Sequence, residues 1–89
     1  MNREQILKEL DAYIDVISKP LPAHDLANGW DAERQHKAIR IMNEIREVLR
    51  TGGALPKWSI VRTMDSWGVK GELFDQACAI SHHLKIMKD

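Results

Sequence analysis

The feature that most constrains the fold is a pair of amphipathic segments joined by a short glycine-containing turn, within residues 56–87. Before the turn, apolar residues recur at helical spacing: Ile60, Val61, Met64 and Trp67. After the turn, the same period is kept by Leu73, Phe74, Ala77, Cys78, Ile80, Ser81, Leu84 and Met87. Gly68 follows the first stripe directly, and glycine adopts the left-handed backbone that ends a helix without a steric penalty. The pattern predicts helices over 57–67 and 71–87, a three-residue turn, and Val69 buried at the elbow.

This pair resembles the DNA-binding helix-turn-helix motif over Ile60 to Ala79. The residues that carry the resemblance are Trp67, Gly68, Val69, Lys70, Phe74 and Ala77. Two positions depart from the motif: Thr63 stands where an apolar residue is usual, and Met64 where a small one is. The resemblance implies that the second helix reads DNA with its first outward residues, which are Lys70, Gly71, Glu72, Asp75 and Gln76. The two carboxylates in that set would be repelled by phosphate.

Two further amphipathic segments precede the pair and predict helices over 3–18 and 31–51. The first begins at Asn2, which with Gln5 can form a capping box, and the second begins at Asp31. Their inner stripes are Ile6, Leu10, Tyr13, Ile14 and Ile17, and then Ala38, Ile41, Met42, Ile45, Val48 and Leu49. Prolines and an Asn-Gly pair mark residues 20–30 as a loop with room for a short helical turn over residues 23–27.

The sequence therefore predicts an all-α fold, a small bundle of four main helices with a C-terminal helix-turn-helix-like pair, in one domain over residues 1–89. The expected core comprises Leu10, Ile14, Ile41, Ile45, Leu49, Met64, Phe74, Ala77 and Leu84. Hydrophobic residues make up 44% of the chain and charged residues 29%, as in soluble globular proteins. A polar N-terminus, no apolar run of about 18 residues and a single cysteine, Cys78, predict a cytoplasmic protein without a secretion signal or an internal disulfide.

The net charge is zero, but the charges are unevenly distributed. Residues 1–33 carry three basic and seven acidic side chains, giving −4, and residues 63–89 carry three and four, giving −1. Residues 34–62 carry seven basic and two acidic side chains, giving +5. If the chain binds nucleic acid, the expected contacts are Arg46, Arg50, Lys57, Arg62 and Lys70. Proteins built to bind nucleic acid usually have a net basic excess, so this function is not favoured.

The residues expected to bind a protein partner are Trp30, Trp58, Arg34, Lys37 and Arg40. Tryptophan is enriched at binding hot spots. Trp30 has two interpretations: it folds back to cover the core beneath the loop, or it is an exposed anchor for a partner. The basic residues Arg34, Lys37 and Arg40 also have two interpretations. They form either the solvated face of a helix or a contact surface for an acidic partner.

No motif in the sequence indicates catalysis, and neither a metal site nor a cofactor is expected. His82 and His83 are neighbours on a helix, so their side chains diverge. The favoured function is a small non-enzymatic regulatory protein that acts by protein–protein binding, of inhibitor, antirepressor or adaptor type. The alternative is a dimeric helix-turn-helix transcription regulator. A homodimer is expected in either case, because the last helix carries apolar residues on more than one stripe, and no membrane contact is expected.

Overall fold

The computed structural model describes residues 2–53 and 60–87, which form five helices and no strand. The helices are α1 (Arg3–Ile17), α2 (Ala23–Ala27), α3 (Ala32–Thr51), α4 (Ile60–Asp65) and α5 (Glu72–Lys85). The predicted all-α class is confirmed, and α1, α3 and α5 match their predicted bounds to within two residues at each end. The short helical turn expected in the loop is α2. The predicted start of the fourth helix lies outside the described residues.

The predicted three-residue turn between α4 and α5 is wrong, because the connection covers residues 66–71. The amides of Trp67 and Gly68 donate to carbonyl oxygens three residues earlier, each at 3.0 Å. These hydrogen bonds have the spacing of a 3-10 turn, so the α-helix ends before its predicted last residue. Gly68 has the expected left-handed backbone, with φ of 74°. Val69 is buried at the elbow, as predicted.

The predicted starts of α1 and α3 are confirmed by their hydrogen bonds. The Asn2 side chain accepts from the Gln5 amide at 2.9 Å, and the Gln5 side chain accepts from the Asn2 amide at 3.0 Å. The Asp31 carboxylate accepts from the Arg34 amide at 2.8 Å. This backbone hydrogen bond is the main cause that lowers the pKa of the Asp31 carboxyl below its ordinary value.

Helix α1 packs on both α3 and α5, and α4 packs on α5. The core formed by these contacts consists of Ile6, Leu10, Tyr13, Ile17, Trp30, Ala38, Met42, Ile45, Leu49, Ile60, Met64, Val69, Leu73, Ala77 and Ile80. All nine residues of the predicted core either belong to this cluster or pack against it. Ile14, Ile41, Phe74 and Leu84 are the four that are only partly buried.

Replacing Ile45 with alanine is expected to lower the free energy of unfolding by about 2–5 kcal/mol. The side chain is 1% exposed, so the substitution leaves a cavity within the core. Urea denaturation followed by circular dichroism measures the loss. Ile86→Ala is the matched control, because Ile86 is 45% exposed and the same atoms are removed from the surface. A loss below about 0.5 kcal/mol for Ile45→Ala, the size of a surface effect, would mean that α3 presents another face to the core.

The segment of residues 28–30 packs against the turn between α4 and α5. The Lys70 amide donates to the Asn28 carbonyl at 3.0 Å, and the Trp30 indole N–H donates to the Lys70 carbonyl at 3.4 Å. A Cβ added to Gly29 would lie 2.9 Å from the Gly68 carbonyl oxygen, so the two backbones approach closely. Trp30 is only 2% exposed. The structure thus supports the interpretation that Trp30 covers the core, and the expectation of an exposed anchor is corrected.

Candidate functional site

An apolar groove runs between α1 and α5, with a volume of about 300 Å³. We call it the α1/α5 groove and define it by its lining residues: Glu9, Ala12, Tyr13, Val16, Gln76, Ala79 and Ile80. Val16 is 48% exposed, although it is a large apolar side chain.

The helical spacing of the lining residues explains why the groove forms. On α1 they follow the spacing i, i+3, i+4 and i+7 from Glu9, and on α5 they follow i, i+3 and i+4 from Gln76, so each row lies on one helix face. Each row has an alanine in it, Ala12 on α1 and Ala79 on α5. Helices α1 and α5 are in contact through their larger residues. Because the two alanine side chains are small, they leave a trough between the helices.

Polar contacts join the two helices at both ends of the groove. At one end, His83 Nδ1 lies 2.7 Å from Glu9 Oε2. At the other, the Tyr13 hydroxyl donates to the Leu73 carbonyl at 3.1 Å. Burial, followed by the charge of Asp25, raises the pKa of Tyr13 above its ordinary value, so its hydroxyl stays a neutral donor. These contacts hold the walls of the groove at a fixed separation.

A second concavity of about 380 Å³ continues from the groove beside α2. We call it the α2 pocket; its lining residues are Val16, Lys19, Pro20, Leu21, Pro22, His24, Asp25, Glu72, Leu73 and Gln76. Val16 and Gln76 line both concavities, which makes them one continuous surface. Asp25 is 5% exposed, and its Oδ1 has no hydrogen-bond partner in the described part of the chain. The His24 ring lies beside this carboxylate, with its Nε2 atom 3.6 Å from Oδ1.

The burial of Asp25 was not predicted from the sequence, where this residue served only as a marker of a loop. An aspartate beside a histidine, after two prolines and before an Asn-Gly pair, has the composition of an ordinary turn. The structure places Asp25 in one pocket with residues from the start of α5, about fifty positions later in the chain. No local pattern in the sequence carries that information.

The basic residues of α3 that were expected to bind a protein partner do not form a single positive surface. Arg34 pairs with Asp31 at 2.6 Å, and Lys37 pairs with Glu33 at 3.2 Å. Arg40 is exposed on the outer face of α3. That face also carries the exposed acidic residues Glu33, Glu44 and Glu47. The mixture supports the interpretation of a solvated helix face.

The residues expected to contact nucleic acid are distributed over three elements. Arg46 lies 3.1 Å from Asp11 of α1, while Arg50 is exposed in the last turn of α3. Arg62 is exposed on α4, and Lys70 is exposed in the turn. Two expected site residues, Lys57 and Trp58, lie outside the described residues.

The start of α5 is acidic and is approached by another part of the chain. The exposed face of this helix carries Glu72, Asp75, Ala79 and His82, and the exposed Ile86 follows its last residue. Asn28 lies against Gly71, the residue that precedes the helix. In the helix-turn-helix motif this end of the second helix enters the groove of DNA. Here it presents two carboxylates and is flanked by the segment of residues 28–30.

Within the described residues, no group of three or more His, Cys, Asp or Glu side chains could hold a metal ion. His82 and His83 have ring centroids 6.0 Å apart, and His83 is engaged by Glu9. Partial burial, followed by the charges of Asp75 and Asp65, raises the pKa of the Cys78 thiol. The reactive thiolate is therefore a minor form near neutral pH. Of the helices in residues 2–53 and 60–87, none has the length and apolar character needed to cross a bilayer.

No protein-family model, no curated protein and no solved structure matches this chain.

Proposed function

We propose that this chain is a small non-enzymatic regulatory protein of the cytoplasm that binds a protein partner through the α1/α5 groove. The observation that carries the proposal is the exposure of Val16, 48%, in the wall of an apolar cleft. Apolar surface that lies in a concavity and is not covered by the chain itself marks sites where another molecule binds. An inhibitor, antirepressor or adaptor works by such contacts and needs no catalytic group.

The shape of the groove favours an apolar helix of the partner as its occupant. A trough between two antiparallel helices accepts side chains spaced at i, i+3 and i+4 on a third helix. Ala12 and Ala79 allow the third helix to approach closely, since neither projects beyond its Cβ atom. The helix that occupies the groove can come from a second copy of this chain. The protein would then form a homodimer and need no other partner.

A single charge in the groove is expected to abolish partner binding without unfolding the protein. Val16→Glu should lower retention of the partner at least tenfold, or about 1.4 kcal/mol, because a carboxylate would be desolvated against an apolar surface. The immobilised protein is exposed to extract from its native cell, and the retained proteins and DNA are quantified. Leu26→Glu is the matched control, since Leu26 is 54% exposed on α2 and lies outside the groove.

The supporting result is a protein retained by the native chain and by Leu26→Glu but lost with Val16→Glu. Sedimentation at high micromolar concentration tests the homodimer in the same three proteins, and a native monomer would refute self-association. Sub-micromolar, salt-sensitive binding of duplex DNA that survives Val16→Glu would overturn the proposal in favour of the helix-turn-helix alternative. In that case Arg50→Ala should reduce the salt slope by about one.

A further inference from the structure

We infer that the α2 pocket binds the cationic end of a lysine or arginine side chain of the partner, with Asp25 as the group that recognises it. This inference rests on the proposed function, because the pocket is continuous with the α1/α5 groove through Val16 and Gln76. The partner segment would then carry apolar residues in the groove and one basic residue at the end nearest α2.

The first argument is the state of the Asp25 carboxylate. Its Oδ1 is buried and accepts no hydrogen bond from the described residues, and His24 Nε2 at 3.6 Å lies beyond hydrogen-bond distance. A buried carboxylate is costly unless it is paired with a donor. Asp25 also lines a cavity that a ligand can enter. A cationic donor in the cavity would satisfy the carboxylate.

The second argument is that the fold does not require a carboxylate at this position. The turn after α2 uses the backbone of Asp25, whose carbonyl oxygen accepts from the amides of Asn28 and Trp30 at 3.0 and 3.2 Å. Its amide donates to the Pro22 carbonyl at 3.0 Å. Any residue other than proline can make these bonds. Within the described residues, the carboxylate lies within ion-pair distance of one basic side chain, that of His24 at 3.6 Å, and its Oδ1 accepts no hydrogen bond.

The third argument is the chemistry of the pocket walls. Apolar side chains from α1, the proline-rich loop and α5 make up half of the ten lining residues: Val16, Pro20, Leu21, Pro22 and Leu73. Such walls fit the alkyl chain of lysine or arginine, whose charged end can then reach Asp25. Glu72 adds a second carboxylate to the lining. The positive charge of Lys19 is opposed by Asp15, which lies 3.4 Å away.

Small cations allow binding to the α2 pocket to be measured without the protein partner. The chain is titrated with n-butylammonium and n-butylguanidinium, and with n-butanol as the neutral isostere of n-butylammonium, while backbone amide shifts are recorded by NMR. The cations should cause saturable shifts at Lys19, His24 and Gln76, and n-butanol should bind at least tenfold more weakly. Equal binding of n-butanol, or the absence of saturable shifts with both cations, would overturn the inference.

Two variants identify the recognising group. Asp25→Asn should fold with an unfolding temperature no lower than that of the native chain and should weaken cation binding at least tenfold. Asp11→Asn makes the same chemical change on the exposed surface of α1, outside the lining of the α2 pocket, and should leave cation binding intact. Cation binding that is unchanged in Asp25→Asn would refute the assignment.

Partner retention distinguishes this inference from the proposed function. Loss of the partner with both Val16→Glu and Asp25→Asn supports the two together. Loss with Val16→Glu and full retention with Asp25→Asn overturns the inference and leaves the proposed function standing. If the native chain retains no partner, the proposed function fails, and the titration still decides whether Asp25 binds cations.

Discussion

Replacing Trp30 with alanine is expected to lower the free energy of unfolding by about 3–5 kcal/mol. Trp30 is among the largest fully buried side chains of the described residues. Its loss would open a cavity and remove the indole hydrogen bond to the Lys70 carbonyl. Small domains are stable by roughly 5–15 kcal/mol, so this single change removes a large share of the total. Urea denaturation monitored by the helical circular dichroism signal measures the effect.

Two controls separate the contributions of Trp30. Trp30→Phe keeps an aromatic ring in the core and removes the N–H donor, so it should cost less than the alanine variant. Leu26→Ala deletes an exposed apolar side chain four positions away and should change stability by less than about 0.5 kcal/mol. If Trp30→Ala unfolds at the same urea concentration as the native chain, the segment of residues 28–30 does not pack on the α4–α5 turn as described.

The features that could be predicted from the sequence are those set by neighbours within a few positions. Helix α1 begins after Asn2, and α3 begins after Asp31 and ends before Gly52. The contacts of these capping residues reach only three to five positions along the chain, so the capping residues can be recognised in the sequence. The Glu33–Lys37 ion pair is likewise a contact of residues four apart, found here at 3.2 Å. Periodicity also placed the correct face of each main helix toward the core.

The candidate site could not be predicted, because its contacts join distant parts of the chain. The hydrogen bond from Tyr13 to Leu73 spans 60 positions, and the bond from Trp30 to Lys70 spans 40. The α1/α5 groove depends on which helices become neighbours, and helix periodicity does not encode that choice. The sequence therefore left Trp30 with two interpretations and gave no sign that Asp25 is buried.

Replacing Gly71 with alanine is expected to destabilise the protein by about 1.5–4.5 kcal/mol, from two separate causes. The backbone of Gly71, with φ of 89° and ψ of −160°, lies in a region that is essentially restricted to glycine. Forcing another residue into it costs about 1–3 kcal/mol. A Cβ atom would also overlap the side-chain amide of Asn28, whose Cγ would lie 3.1 Å away. Displacing this side chain from its rotamer adds about 0.5–1.5 kcal/mol.

Gly68→Ala is the matched control, because Gly68 also has a positive φ, of 74°, but a Cβ there would meet no atom within 4 Å. It should cost only about 1–2 kcal/mol, the penalty of the left-handed backbone. The double variant Gly71→Ala with Asn28→Ala removes the overlapping amide and keeps the backbone strain. The double variant should lose less unfolding free energy than the two single variants lose in sum, by about 1 kcal/mol or more. A coupling of this size is expected of residues in contact.

A strictly additive double variant would contradict the packing of Asn28 on Gly71. The same comparison bears on the site, because Gly71 directly precedes Glu72 and Leu73, which line the α2 pocket. If Asn28 fixes the position of this turn, then Gly71→Ala should shift the amide resonances of Leu73 and Gln76, and Gly68→Ala should leave them near their native positions. The segment of residues 28–30 would then act on the pocket through the start of α5, without itself lining the pocket.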